Sequence, residues 1–315
     1  MINFITLKGI VYKSTGSWYI LKGEDQQFYN ARLKGKFKID DITSTNPIAV
    51  GDRVEFEKED EQENTVTILD VLPRFNYVNR ISPANKRMHH IIASNIDQSV
   101  LIATIRDPKT SMGFIDRFLV TCEAFHIPAI VLFNKADVYK EKENKIVEER
   151  KAIYERIGYT VLLTSVNNGE GIDDLKQLLH KKITLLSGHS GVGKSSLINL
   201  ILDDQHIRTS EVSSWSGKGM HTTTFAEMYD LPDGGQIIDT PGMREFAIAD
   251  IDRNELSHYF PEMRQLLNNC QYNNCMHINE PSCAIKNAVT RGEISEERYL
   301  SYCTILDSIK ENDWE

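Results

Sequence analysis

The chain has 315 residues, with 36 Lys and Arg against 45 Asp and Glu and a net charge of −9. That length has room for two or three hydrophobic cores, and the acidity excludes a uniformly basic nucleic-acid binder. No apolar run approaches the ~20 residues of a membrane span, and the segment from Met1 to Lys8 lacks a charged region ahead of an apolar core, so no signal peptide is read.

The first elements read as short strands: Gly9 to Tyr12, Trp18 to Leu21, Gln27 to Tyr29, Asp52 to Phe56 and Thr65 to Leu69. Turn signals such as Ser14 to Ser17 and Lys22 to Asp25 separate them. Five strands over residues 1–72 predict a small OB-fold barrel, an architecture that commonly presents aromatic and basic side chains to RNA. Charge within this region is uneven: Ala31 to Lys38 is basic with an interleaved Phe37, whereas Glu55 to Glu63 is acidic. A solvated hairpin face accounts for both runs as well as a partner does. Pro73 then begins a connector.

From Ser99 to Thr104 the pattern becomes strand, helix, strand, with helices predicted over 113–125, 141–157 and 171–180, and an α/β domain over residues 73–243. Asn134, Lys135, Ala136 and Asp137 follow the apolar run Ala129 to Phe133. A carboxylate at Asp137 accepts from guanine N1–H and N2–H together. Adenine offers no such pair of donors, so a buried Asp137 is left unpaired by ATP. Thr164 and Ser165, after the strand Thr160 to Leu163, match a second base-contacting loop; a plain polar strand end accounts for them too.

Gly188 to Ser195 fits the phosphate-loop pattern G-x-x-x-x-G-K-S, with the strand Ile183 to Leu186 before it and the helix Ser195 to Leu202 after it. Gly188, Gly191 and Gly193 let the backbone N–H groups of the loop, with His189, Ser190, Val192 and Ser196, face the β-phosphate of a nucleotide. Lys194 is expected to reach the β- and γ-phosphates and Ser195 to hold magnesium. The base-reading motif precedes the phosphate loop, the reverse of the usual GTPase order. That order points to a circular permutation.

Downstream, Ser213 to Thr224 is polar and glycine-containing and is read as the first switch, with one of Thr222 to Thr224, taken as Thr223, ligating magnesium. Asp239, Thr240, Pro241 and Gly242 end another strand; Asp239 is assigned to magnesium and the Gly242 N–H to the γ-phosphate, against the alternative of an ordinary Pro-Gly turn. Position 243 is Met, where many GTPases carry a Gln that orients the attacking water. His221 is the nearest chemically suitable substitute; a switch His that only packs against RNA is the alternative. Lys194, Ser195 and His221 form the catalytic assignment. Gly242 also leads straight into residues 244–315, which tethers the second switch to the C-terminal domain.

That domain is expected to be mostly helical and to bind zinc. Cys270, Cys275, His277 and Cys283 lie within fourteen residues and supply the three thiolates and one imidazole of a closed, structural tetrahedral site. Cysteine is also a common buried apolar residue. Cys303 is a reserve ligand and Cys122 an ordinary core residue, and an odd total of five cysteines fits a reducing compartment better than a disulfide framework.

Together these pieces resemble the RsgA/YjeQ family, bacterial GTPases that depend on the small ribosomal subunit, over nearly the whole chain. Further matching segments are Val50 to Val54, Pro73 with Arg74, Asn95 to Gln98, Ile115 to Leu119 and Gly219 to Thr224. The resemblance implies a monomeric cytoplasmic GTPase that uses GTP, magnesium and one structural zinc. It implies binding to the 30S subunit and its 16S rRNA late in assembly, hydrolysis when docked, and release, with no membrane partner. The acidic run at Glu57 to Glu63 moves the expected RNA-facing side to Arg32, Lys34, Lys36 and Lys38.

Overall fold

The computed structural model describes residues 6–33, 47–58, 64–81, 89–202, 226–240 and 251–309. Lys34, Lys36, Lys38, His221, Thr223, Gly242 and Met243 lie outside the described residues, as does the run from Ser213 to Thr224. The chain divides into two compact units, one made of Met1–Ser99, Leu175–Ser187 and Lys194–Met243, the other of Val100–Asp174, Gly188–Gly193 and Arg244–Glu315.

In the first unit, alternation of apolar and polar residues builds the expected barrel. Strand β1 (Leu7–Ser14) pairs antiparallel with β2 (Tyr19–Gly23), and β2 with β3 (Phe28–Leu33). Strand β4 (Arg53–Lys58) pairs antiparallel with β1 and with β5 (Thr65–Val71), and β5 runs parallel to β3, which closes the ring. The side chains turned inward, among them Val11, Tyr19, Leu21, Tyr29, Val54, Phe56, Val66 and Ile68, form one core. A hairpin of β6 (Tyr77–Ile81) and β7 (His89–Ser94) follows.

Several of the family-like segments prove to be structural. Asp52 is fully buried and accepts from Arg74 Nε at 2.6 Å, Ser94 Oγ at 2.6 Å and the Ala49 N–H at 2.8 Å. The buried carboxylate is therefore paired with a cation and hydrogen-bonded, the condition for tolerating its burial. Asn95 donates from Nδ2 to the Gly51 carbonyl, and Gln98 donates from Nε2 to Thr184 Oγ1, both at 2.9 Å.

Strand β11 (Ile183–Gly188) runs parallel to β13 (Gln236–Asp239), which pairs antiparallel with β12 (Glu227–Asp230). Past a register shift in β1, Lys13 sits opposite Glu227 of β12. Tyr12 and Lys22 both donate to Asp230 at 2.7 Å, and Lys13 pairs with Glu227 at 3.1 Å. The sequence reading missed β12, whose four residues alternate too briefly to register.

In the second unit, strands lie in the order β10 (Thr160–Leu163), β9 (Ala129–Phe133), β8 (Gln98–Ala103). β9 and β10 are parallel, and α2 (Glu141–Arg156) is the crossover between them. β8 is buried at every position, which is why it reads as a continuous apolar run. Helix α1 (Met112–Ala124) starts where the Ser111 hydroxyl accepts from the Phe114 N–H. Helix α3 (Ile172–Leu179) and, in the first unit, helix α4 (Lys194–Ile201) fall within two residues of their predicted limits. The C-terminal segment is helical as expected, with α5 (Pro261–Arg264), α6 (Ala284–Thr290) and α7 (Glu296–Ser308). Ile251, Leu256, Phe260, Met263, Ile285, Tyr302, Ile305 and Leu306 form its core, together with Val120 of α1. Among the described residues no helix is long and apolar enough to cross a membrane.

Candidate nucleotide and metal sites

The residues expected to contact a base meet within the second unit. β9 ends at Phe133, and Lys135 takes a left-handed conformation with φ 67° that turns the chain into a short 3₁₀ helix carrying Asp137. Asp137 accepts from Ser165 Oγ at 2.6 Å and from Asn167 Nδ2 at 2.7 Å. These two bonds, Ser165 first, hold its carboxyl below the ordinary carboxylate range. Contrary to the expectation of a buried carboxylate, Asp137 is exposed, because the 3₁₀ turn carries it beyond the strand end to the surface. Thr164 and Ser165 are fully buried, and Thr164 Oγ1 donates to Asn134 Oδ1 at 3.1 Å. The predicted second base loop thus braces the first. Asn167 was not singled out; its only sequence signal is its place two residues after Ser165.

Asn134 joins this cluster to the phosphate loop. Its Nδ2 donates to the Val192 carbonyl at 2.9 Å across 58 positions of sequence. Gly193, at φ 93°, sits so close that a Cβ there would overlap the Asn134 amide. Gly188 has the Ile102 carbonyl 2.6 Å from where its Cβ would be. The glycines are required here by close approach as well as by backbone angle. Lys135 Nζ donates to the Asp107 carbonyl at 2.5 Å, and the His189 ring lies on Phe114. Ser190 and Gly191 are exposed.

Within the first unit, Lys194 Nζ pairs with Asp239 Oδ1, and both side chains are largely buried. The cation meant for phosphate and the carboxylate meant for magnesium are neighbours at the start of α4 and the end of β13. Ser195 and Ser196 occupy the exposed first turn of α4. Thr240 Oγ1 donates to the Leu186 carbonyl at 3.1 Å, which ties the strand end after Asp239 to β11.

Four donor atoms converge in the C-terminal segment. Those of Cys270, Cys275, His277 and Cys283 all lie within 4.8 Å of one another. His277 Nδ1 is 3.7 Å from Cys270 Sγ and 3.5 Å from Cys283 Sγ. Tetrahedral zinc, with Zn–S near 2.3 Å and Zn–N near 2.0 Å, requires ligand separations of about 3.5–3.8 Å, so the set fits that ion. Burial pushes the Cys275 thiol up to about 12, and the Cys283 and Cys270 thiols beside it add to the shift. Thiols packed this way ionise together only around a cation. Burial also lowers the His277 imidazole, keeping it in the neutral form that ligates. Cys303 is not part of this cluster, and Cys122 is a buried core residue.

The sequence reading missed what holds these ligands. The Glu280 carboxylate accepts from the N–H groups of Met276 at 2.8 Å, Ile278 at 2.9 Å and Asn279 at 3.1 Å. From α7, Tyr299 donates to the His277 carbonyl at 2.7 Å and Tyr302 to the Met276 carbonyl at 2.9 Å. An acidic residue inside a Cys/His cluster was the available signal for Glu280.

Comparison with known proteins agrees with this construction. Residues 71–249 match the RsgA GTPase family model and residues 8–66 the RsgA N-terminal domain model. A small ribosomal subunit biogenesis GTPase RsgA from Cytophaga hutchinsonii is 50% identical over 300 residues, covering 95% of this chain and 98% of its own. The protein of that description from Bacteroides fragilis is 45% identical over 305 residues, covering 97% and 98%. Among solved structures, YjeQ from Thermotoga maritima matches with a TM-score of 0.77 at 34% identity, over 96% of this chain and 98% of its own. YloQ, a circularly permuted GTPase, matches with a TM-score of 0.73 at 29% identity, over 97% and 95%. With Asn134 bonded to the glycine-rich loop that follows it in sequence, and with both family models and near-full-length relatives in agreement, the chain belongs to the RsgA GTPase family.

Proposed function

We propose that the protein binds GTP with magnesium and hydrolyses it to GDP and phosphate in response to the small ribosomal subunit, assisting a late step of that subunit's maturation and then dissociating. The observation that carries the nucleotide half is the Asn134 to Val192 hydrogen bond, which holds a guanine-type motif against a phosphate loop. The ribosomal half is supported by the relatives, described as small ribosomal subunit biogenesis GTPases.

In this reading Asp137, oriented by Ser165 and Asn167, accepts the two guanine donors. Loop N–H groups and Lys194 neutralise charge developing on the phosphates, and Ser195, Asp239 and Thr223 are the magnesium ligands. When bound, magnesium would supply charge neutralisation for the phosphates. Lys194 must release Asp239 for both assignments to hold, so nucleotide entry exchanges one ion pair for two new contacts. His221 orients the attacking water in place of the residue at 243, and Gly242 contacts the γ-phosphate.

Domain limits of 1–72, 73–243 and 244–315 are part of the proposal, supported by the end of β5 at Val71. The barrel binds 16S rRNA through Arg32, Lys34, Lys36 and Lys38. Exposed Trp18 and Phe28 support such a role, because bases stack on exposed rings. Cys270, Cys275, His277 and Cys283 hold one structural zinc, and the protein acts as a cytoplasmic monomer.

The test is GTP turnover with added 30S, 50S or 70S particles, alongside competition by ATP. Stimulation by 30S alone and selectivity for GTP are expected. Equal affinity for ATP and GTP overturns the base assignment, and GTP binding with no stimulated turnover leaves a GTP-controlled binding switch instead.

A further inference from the structure

Helix α1 carries contacts to two parts of the second unit. Phe114, in its first turn, lies against His189 of the phosphate loop, with ring centroids 3.8 Å apart and 31° between planes. Two residues on, Asp116 accepts from Arg298 Nη1 of α7 at 2.6 Å and from the Tyr154 hydroxyl of α2 at 2.9 Å. At 3.6 residues per turn, positions two apart point about 200° from each other. The helix therefore turns one side to the phosphate loop and the other to the C-terminal segment.

The α7 end of this link is firmly held. The Arg298 side chain is 1% exposed and donates also to Glu262, from Nε at 2.8 Å and from Nη2 at 3.0 Å. Arg117 Nη2 reaches Ser308 of α7 at 3.3 Å, and Val120 lies within the C-terminal core. At the other end, His189 sits in a loop whose glycines leave the backbone free to take many conformations. Val192 is fixed by Asn134, but Ser190 and Gly191 between are exposed. The ring contact is one side-chain restraint on the first half of the loop. Burial lowers the His189 imidazole, so a neutral ring meets Phe114.

We propose that Phe114 is a positioning residue for the phosphate loop, and that α7 sets its placement through the Arg298–Asp116 pair. A loop already ordered loses less entropy when it closes on phosphate, so the stack raises nucleotide affinity without touching the nucleotide. The C-terminal segment thereby acts on nucleotide binding through α1, independently of the switch regions. The inference rests on reading residues 188–195 as the nucleotide site.

The experiment measures affinity and dissociation rate of a fluorescent GDP analogue with the full chain. The variants are Phe114→Leu, Phe114→Tyr, His189→Ala, Phe114→Leu with His189→Ala, and Arg298→Lys with and without Phe114→Leu. Each single loss of a stacking ring is expected to weaken GDP by about 5-fold, and the double variant by no more than either single, since both remove one contact. Phe114→Tyr, which keeps the ring, restores wild-type affinity. Arg298→Lys, which keeps the charge but not the fork, is expected to speed GDP dissociation by about 3-fold only while Phe114 is present. No GDP binding by the wild type overturns the nucleotide reading and the inference with it. Binding by the wild type with unchanged affinity in Phe114→Leu, or additive losses in the double variant, overturns the inference alone. An Arg298→Lys effect that persists without Phe114 overturns the link to α7.

Discussion

Arg298→Met tests the buried ion cluster that fastens the C-terminal segment to α1. Methionine keeps most of the volume of the arginine stem and removes the guanidinium, leaving Asp116, which is fully buried, and Glu262, which is 7% exposed, without their shared cation. Breaking a buried pair by deleting one partner costs about 3–5 kcal/mol. The pH dependence follows from Asp116. Burial pushes its carboxyl above the ordinary value, and the Arg298 guanidinium is the strongest influence opposing that rise. In the variant the folded-state pKa climbs further above its unfolded value near 3.9. A raised folded pKa makes the native state hold a proton that the unfolded chain releases. Stability then falls as pH rises from the unfolded value to the folded one, by about 1.4 kcal/mol per pH unit inside that window. Urea unfolding of wild type and variant between pH 5 and pH 7 measures the difference. A deficit that shrinks on acidification is expected. A deficit below about 1 kcal/mol, or one that does not change with pH, refutes the claim that an unpaired buried carboxylate is its cause.

Asp137→Asn should weaken GTP by about 30-fold and leave inorganic phosphate binding unchanged, since it removes an acceptor for guanine only; equal losses for both ligands by calorimetry would point to misfolding of the turn. Gly193→Ala places a Cβ on the Asn134 amide at φ 93°, so GDP affinity should fall at least about 10-fold while the zinc content stays constant; normal affinity in a titration would mean that the loop relaxes freely. Cys275→Ser should lower zinc from one to none per chain by elemental analysis and increase hydrogen exchange across residues 270–283. Retention of full zinc in that variant would reassign the ligand. His221→Ala should cut 30S-stimulated turnover by about 100-fold with little change in GTP affinity; unaltered stimulated turnover removes His221 from the chemistry.

The candidate nucleotide and metal residues were legible because their chemistry is local. A phosphate loop needs glycines and a Lys-Ser pair at fixed spacing beside a strand and a helix, and the strand β11 and helix α4 stand where that pattern put them. A tetrahedral metal shell in a small segment must draw its ligands from a short stretch, and the four donors from 270–283 do converge. The barrel was legible from period-two alternation, as in Tyr19, Leu21 and Gly23 buried with Ile20 and Lys22 between them.

What the tertiary structure alone decided lies between residues far apart in sequence. Nothing near Asp116 announces Arg298, 182 positions away, as its partner, because a buried ion pair has no periodicity and neither residue belongs to a chemical motif. The pairing of β1 with β12 and the sharing of Asp230 by Tyr12 and Lys22 are of the same kind. So is the exposure of Asp137, where the sequence indicated the acceptor but only the 3₁₀ turn after Lys135 set its depth. Sequence by itself singled out the candidate binding groups, since binding chemistry is written in residue type and short spacing. The fold decided which helices pack beside them, since that depends on packing between segments brought together only when the chain collapses.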